Sequence, residues 1–241
     1  MFDSGRDQAS GLRRMFAARP LLFLGIGCAS GDPRDLAGAT GLAHALQRAG
    51  RQPIIIDLLG DGDRPEMRAG RDRAALRQPA ITRVEAHRLL DPCAGSRDLA
   101  ALAQSLREQA LQRGLDADIA LAIADPLRLA DVSAALTDRI VLIAPGDLAS
   151  LAHLYAHVKA VRLAHGVTRF VAAFRDARSR QMVLGAHRRL AQTAARFLGA
   201  AVEFGGMLPS GEHDLRAWDR LAADAIGWAC PIDTAPAATA H

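Results

Sequence analysis

Two runs, residues 53–59 (PIIIDLL) and 139–145 (RIVLIAP), are apolar at nearly every position. A strand with one wet face alternates apolar and polar residues, whereas a strand covered on both faces has no need to alternate. Similar short runs occur at 21–27, 81–86, 118–124, 169–175 and 201–208. Between them lie segments of helical period at 35–49, 96–113, 148–165, 179–198 and 214–229. This alternation predicts a single α/β domain with a doubly wound, mostly parallel sheet and helices on both faces.

Half of the 241 residues are hydrophobic and 23% are charged, enough to build one sizeable core. The α/β domain is expected over 20–229, preceded by an arm at 1–19. It is followed by an Ala/Pro/Thr tail at 230–241 expected to be disordered. Residues 60–78, rich in Gly, Asp and Arg, read as a long mobile loop. Cys28, Cys93 and Cys230 show no CxxC or His–Cys spacing, so neither a disulfide framework nor a zinc site is expected, and a reducing cytosol fits. His153 and His157 are four apart on one helix but lack the Glu of an HExxH site, and no metal is expected. The apolar run at 21–26 is too short to span a bilayer. A net charge of +4 with one tyrosine and two tryptophans offers no stacking platform for nucleic acid. Lys159 is the sole lysine among 30 basic residues.

Ahead of the first strand runs Asp7-Gln8-Ala9-Ser10-Gly11-Leu12-Arg13. Asp7 is suited to cap a helix, and Leu12, Met15 and Phe16 fall at i, i+3 and i+4 on one apolar stripe. Gln8 and Arg13 lie off that stripe. From the residues alone this is an amphipathic starter helix. It resembles the DQAxxLR motif of the flagellar-number regulators of the MinD/ParA family (FlhG/FleN type). In that family the motif activates a GTPase of the signal-recognition-particle class. The resemblance implies that Asp7, Gln8, Leu12, Arg13, Met15 and Phe16 contact the partner, with Gln8 helping to organise hydrolysis there.

The segment LGIGCASGDPRDLAGATGLAHALQRAGRQPIIID resembles the start of MinD/ParA ATPases, where a KGGxGKT phosphate loop leads into NLAxALAxxGxxVLLID. Gly41, Leu42, Ala43, Gly50 and Ile54 to Asp57 match that frame. A phosphate loop needs a lysine for the β/γ-phosphates and a Ser/Thr for magnesium. Counting back from Gly41, those positions fall on Asp35 and Leu36. The family's DAD after the second strand becomes Asp57-Leu58-Leu59, Asp125 is displaced from the DxPAG turn, and Phe174 stands at the adenine-contacting asparagine. The resemblance therefore implies a P-loop NTPase fold with a vestigial nucleotide site at Ser30, Gly31, Asp35, Leu36, Asp57 and Asp125.

Two other readings stay open. One is a working ATPase that takes ATP and magnesium through an unusual loop. The other rests on Gly25, Gly27 and Ser30, which resemble a Rossmann fingerprint, with Asp57 as the ribose acid; the spacing exceeds the usual ~20 residues. The leading expectation is a regulator of flagellar biogenesis without ATPase chemistry or cofactor. A flagellar switch (C-ring) protein or a transcriptional regulator would be its second partner. The family places such proteins in the cytoplasm, peripheral at the cell pole. Leu215, Trp218, Leu221, Ala222, Ala225 and Ile226 give the last helix an apolar face, but two positive and three negative charges on its other face argue against an anionic membrane.

Overall fold

The structure, a computed structural model, describes residues 21–29, 33–59, 81–85, 117–133, 139–176, 179–208 and 214–232. The motif at 7–13, Ser30, Gly31, the 60–78 segment and the helix expected at 96–113 lie outside them. Among the described residues eight strands are formed: β1 (Leu21–Cys28), β2 (Pro53–Asp57), β3 (Thr82–Glu85), β4 (Ile119–Ala124), β5 (Arg139–Pro145), β6 (Arg169–Arg175), β7 (Ala201–Met207) and β8 (Cys230–Ile232). The described residues include five helices: α1 (Pro33–Arg48), α2 (Pro126–Ser133), α3 (Leu148–His165), α4 (Arg180–Leu198) and α5 (Leu215–Trp228).

The strands order as β3-β2-β4-β1-β5-β6-β7, all parallel, with β8 antiparallel to β1. The doubly wound sheet is as expected, and the continuous apolar runs are buried on both sides. Period-two geometry sends Ile54, Ile56, Ile140, Leu142 and Phe170 to one face, where α2, α3 and α4 cover them. It sends Leu24, Ile26, Ile55, Val141 and Ile143 to the other, under α1 and α5. Helix ends follow local chemistry. Asp147 caps α3 by accepting from the Ser150 N–H at 2.8 Å, which holds its carboxyl below the usual aspartate range. Gly166 and Gly199 close α3 and α4 at φ 74° and 59°.

Two expectations are corrected. Residues 230–232, assigned to the tail, form β8, with Cys230 opposite Phe23 and Ile232 opposite Leu21. The backbone of Leu22 points toward β4, where its N–H bonds Asp118 O at 3.0 Å, so Pro231 opposite Leu22 has no ladder bond to donate. The segment IADPLRLAD, which is not among the expected helices, opens α2. Its Pro126 sits at the first helical position, and Asp125 accepts from the Leu127 N–H at 2.9 Å.

The α1–α5 contact is close because Gly41 has no side chain: a Cβ there would stand 2.5 Å from Cη2 of the buried Trp218. Gly41→Val is expected to lower stability by about 1–3 kcal/mol, since the indole has no room to retreat. Urea denaturation of the two proteins measures the difference.

Candidate functional site

β1 and β4 are neighbours, yet the chain leaves β1 toward β2 and leaves β4 toward β5. Their carboxyl ends therefore form a topological switch point, where open α/β sheets place ligands. Asp35, Asp57, Asp125 and Cys28 come together at this end of the sheet, joined by Arg175 from the last position of β6. Ser30 and Gly31 fall outside the described residues.

Asp35 lies in the first turn of α1 with no exposed surface. Its Oδ1 accepts from Arg175 Nε at 2.5 Å, and the guanidinium is itself only 5% exposed. Arg175 Nη1 also donates to Asp176 Oδ2 at 2.5 Å, and the exposed Arg34 reaches the same oxygen at 3.0 Å. Asp176 adopts φ 54°, a left-handed conformation that aspartate tolerates better than most residues. Two carboxylates and two guanidinia thus form one chain of charge across the start of α1 and the end of β6. Leu36, at the position the resemblance gives to a magnesium-binding threonine, is buried in the core under α1.

Asp57 is fully buried at the end of β2. Its Oδ1 accepts from the Leu59 N–H at 3.0 Å, and its Oδ2 takes both Nε and Nη2 of Arg83 from β3. A ribose hydroxyl would have to displace these donors, which removes support for the dinucleotide reading. Asp125 is spent on capping α2. His157 reaches from α3 to donate to the Ala29 carbonyl at 3.0 Å, while His153 is exposed. Among the described residues no group of three or more His, Cys, Asp and Glu side chains is placed to hold a metal ion.

Cys28 reports the field at this end of β1. Burial first, then Asp35, Asp57 and Asp125, push its thiol up to about 12, and Arg175 opposes them. The partners Arg175, Arg83 and Arg34 were missed in the sequence, and His157 was considered there only as a metal ligand. The only trace of Arg175 is a charged residue ending an otherwise apolar strand, RFVAAFR. Phe174 beside it is a core residue, stacked on Phe204 at 6.0 Å between ring centres.

No protein-family model matches the sequence, and no curated protein does. Among solved structures the chain is similar to a plasmid partition protein from Borrelia burgdorferi, with a TM-score of 0.52 at 10% identity over 87% of this chain and 99% of that one. It also matches a chain of the MinC:MinD cell division protein complex from Aquifex aeolicus, with a TM-score of 0.44 at 11% identity over 83% and 85%. The first of these shows that the two chains share a fold.

The Asp35–Arg175 pair predicts strong coupling. Arg175→Met leaves a buried carboxylate short of its partner and should cost about 3–5 kcal/mol, and the Asp35→Leu, Arg175→Met double variant should recover most of it. Additive losses in urea titrations would remove the pair from the stability of the fold. Cys28 gives a pH dependence. The folded thiol holds its proton to about 12 against 9.0 unexposed to the fold, so its contribution is complete below pH about 9 and lost as pH rises toward 12. Between pH about 8 and about 11 the parent should lose more stability than Cys28→Ala, by denaturant midpoints.

Proposed function

We propose that this chain is a MinD/ParA-like regulator of flagellar biogenesis that acts on another protein's nucleotide rather than its own. It binds a signal-recognition-particle-type GTPase through its N-terminal segment and stimulates hydrolysis there. The observation that carries this is the sequence from Asp7 to Arg13, with Leu12, Met15 and Phe16 on one stripe and Gln8 off it. The stripe seats the helix in a groove of the partner. Gln8 orients the attacking water, as glutamines do in other GTPases. Arg13 supplies a cation beside the same site.

The geometry at the switch point supports the absence of ATP chemistry in the chain itself. A triphosphate approaching β1 would find Asp35 where the phosphate-binding lysine is wanted, buried and already bonded to Arg175. Arg175 already holds two carboxylates. Lys159, the sole lysine, lies on α3. The resemblance adds a place, peripheral at the cell pole, and a second partner, the flagellar switch protein or a transcriptional regulator. No helix among the described residues is long and apolar enough to cross a membrane.

Two measurements test this. A peptide spanning residues 1–20 should raise the GTPase rate of the partner, and Gln8→Ala should abolish the increase; an unchanged rate, or full activity without Gln8, overturns the activator role. Titration of the intact protein with a fluorescent ATP analogue and magnesium should give no saturable signal. Clear micromolar binding would install the ATPase alternative instead.

A further inference from the structure

α3 and α4 pack side by side on one face of the sheet, and neither contains an aspartate or a glutamate. Their 37 residues (18 and 19) carry Lys159, Arg162, Arg180, Arg188, Arg189 and Arg196. The acidic residues nearest in sequence are occupied: Asp147 caps α3, Asp176 holds Arg34 and Arg175, and Glu203 on β7 pairs with Arg139 and Arg169. Helices on a soluble face ordinarily intersperse both signs. Here one sign is missing from two neighbouring helices.

The same face is apolar where it is concave. A recess of about 220 Å³ lies between the helices, lined by Leu151, Ala152, Tyr155, Arg189, Leu190 and Thr193. Arg162 Nε donates to the Leu198 carbonyl at 3.1 Å and ties the far ends of the two helices together. Tyr155, Lys159 and Leu163 follow one another at four-residue steps on α3, and Arg189, Thr193 and Phe197 do so on α4. Each ridge therefore presents a contact about every 6 Å along the groove, the spacing at which a third helix offers its i and i+4 residues. Leu163 is 70% exposed and Phe197 66% exposed, with the Arg196 guanidinium 5.3 Å from the Phe197 ring centre.

We infer that the α3–α4 groove is a docking site for an acidic amphipathic helix of a partner protein. One apolar anchor of that helix fills the recess beside Tyr155 and Leu190, and carboxylates one turn away meet Lys159 and Arg189. The charge pattern excludes two nearer occupants. The chain's own N-terminal twenty residues carry four arginines against two aspartates and are repelled. The amphipathic α5 of a second copy presents Arg216 and Arg220 beside Asp219 and Asp224 and has no net attraction to offer. A nucleic acid backbone would satisfy the cations but leave the recess and Phe197 unused. The inference does not depend on the activity proposed for the N-terminal segment.

Selection of a random helical peptide library, displayed on phage, against the full chain tests it. Recovered sequences should combine glutamates or aspartates with one or two large apolar residues at i, i+3 or i+4 spacing. Their affinity, measured by fluorescence anisotropy, should fall by about tenfold or more in Arg189→Glu and in Lys159→Glu. Both positions are exposed, and Phe197→Ala gives an uncharged variant expected to weaken the same peptides. Basic or neutral selected peptides, or peptides whose affinity is unmoved by all three variants, overturn the inference. So does an empty selection, or cosedimentation with phosphatidylglycerol vesicles that Arg189→Glu abolishes, which would make the face a lipid surface.

Discussion

A carboxylate and a guanidinium, both withdrawn from water, meet at the carboxyl end of the sheet. Each ion alone would cost several kcal/mol to bury, so Asp35 and Arg175 are tolerable only together. Their bond joins the first turn of α1 to the end of β6 and so fixes how the helix begins above the sheet. The rest of α1 follows from that placement. Leu36, Ala39 and Leu42 turn into the core, and Gly41 comes to lie under Trp218 of α5. A phosphate site built at the same position would need the opposite arrangement, with a mobile cation facing outward and α1 presenting open N–H groups. One buried ion pair therefore decides both how the layer packs and what the switch point is suited to hold.

The architecture was legible because burial on both faces leaves a simple trace. PIIIDLL and RIVLIAP had nowhere to go but the interior of a parallel sheet, and both became strands there. The helix starts expected at 148, 179 and 214 fall within one residue of the observed ones, and the structure shows Asp147, Ser179 and Asp214 capping there. β8 was not legible, because three residues ending in proline and isoleucine look like any tail until β1 offers them an edge. α2 was hidden by the proline that starts it, since an Asp-Pro pair marks a turn as readily as a helix N-terminus.

The site was half legible for a related reason. Asp35, Asp57 and Asp125 were marked by comparison with the family frame, and in the structure all three raise the Cys28 thiol through their charge. Their partners did not stand out. Arg83 and Arg175 come from other strands, and nothing in a sequence with so many arginines marks which two face inward. A carboxylate announces a site only by position, while the cation that neutralises it is chosen by the tertiary fold.

Charge is distributed in a way that keeps two surfaces apart. At the carboxyl end of β1, burial first and then three nearby aspartates hold the proton on Cys28 well into the alkaline range. The aspartate- and glutamate-free helices α3 and α4 carry charged side chains of positive sign alone. Unlike signs on separate surfaces steer different partners, because encounter follows the local potential more than the total charge. The N-terminal segment is cationic too, with four arginines to two aspartates, so it has no reason to fold back on the α3–α4 groove. An acidic partner in that groove and a GTPase gripping the N-terminal segment would then not compete for the same charge.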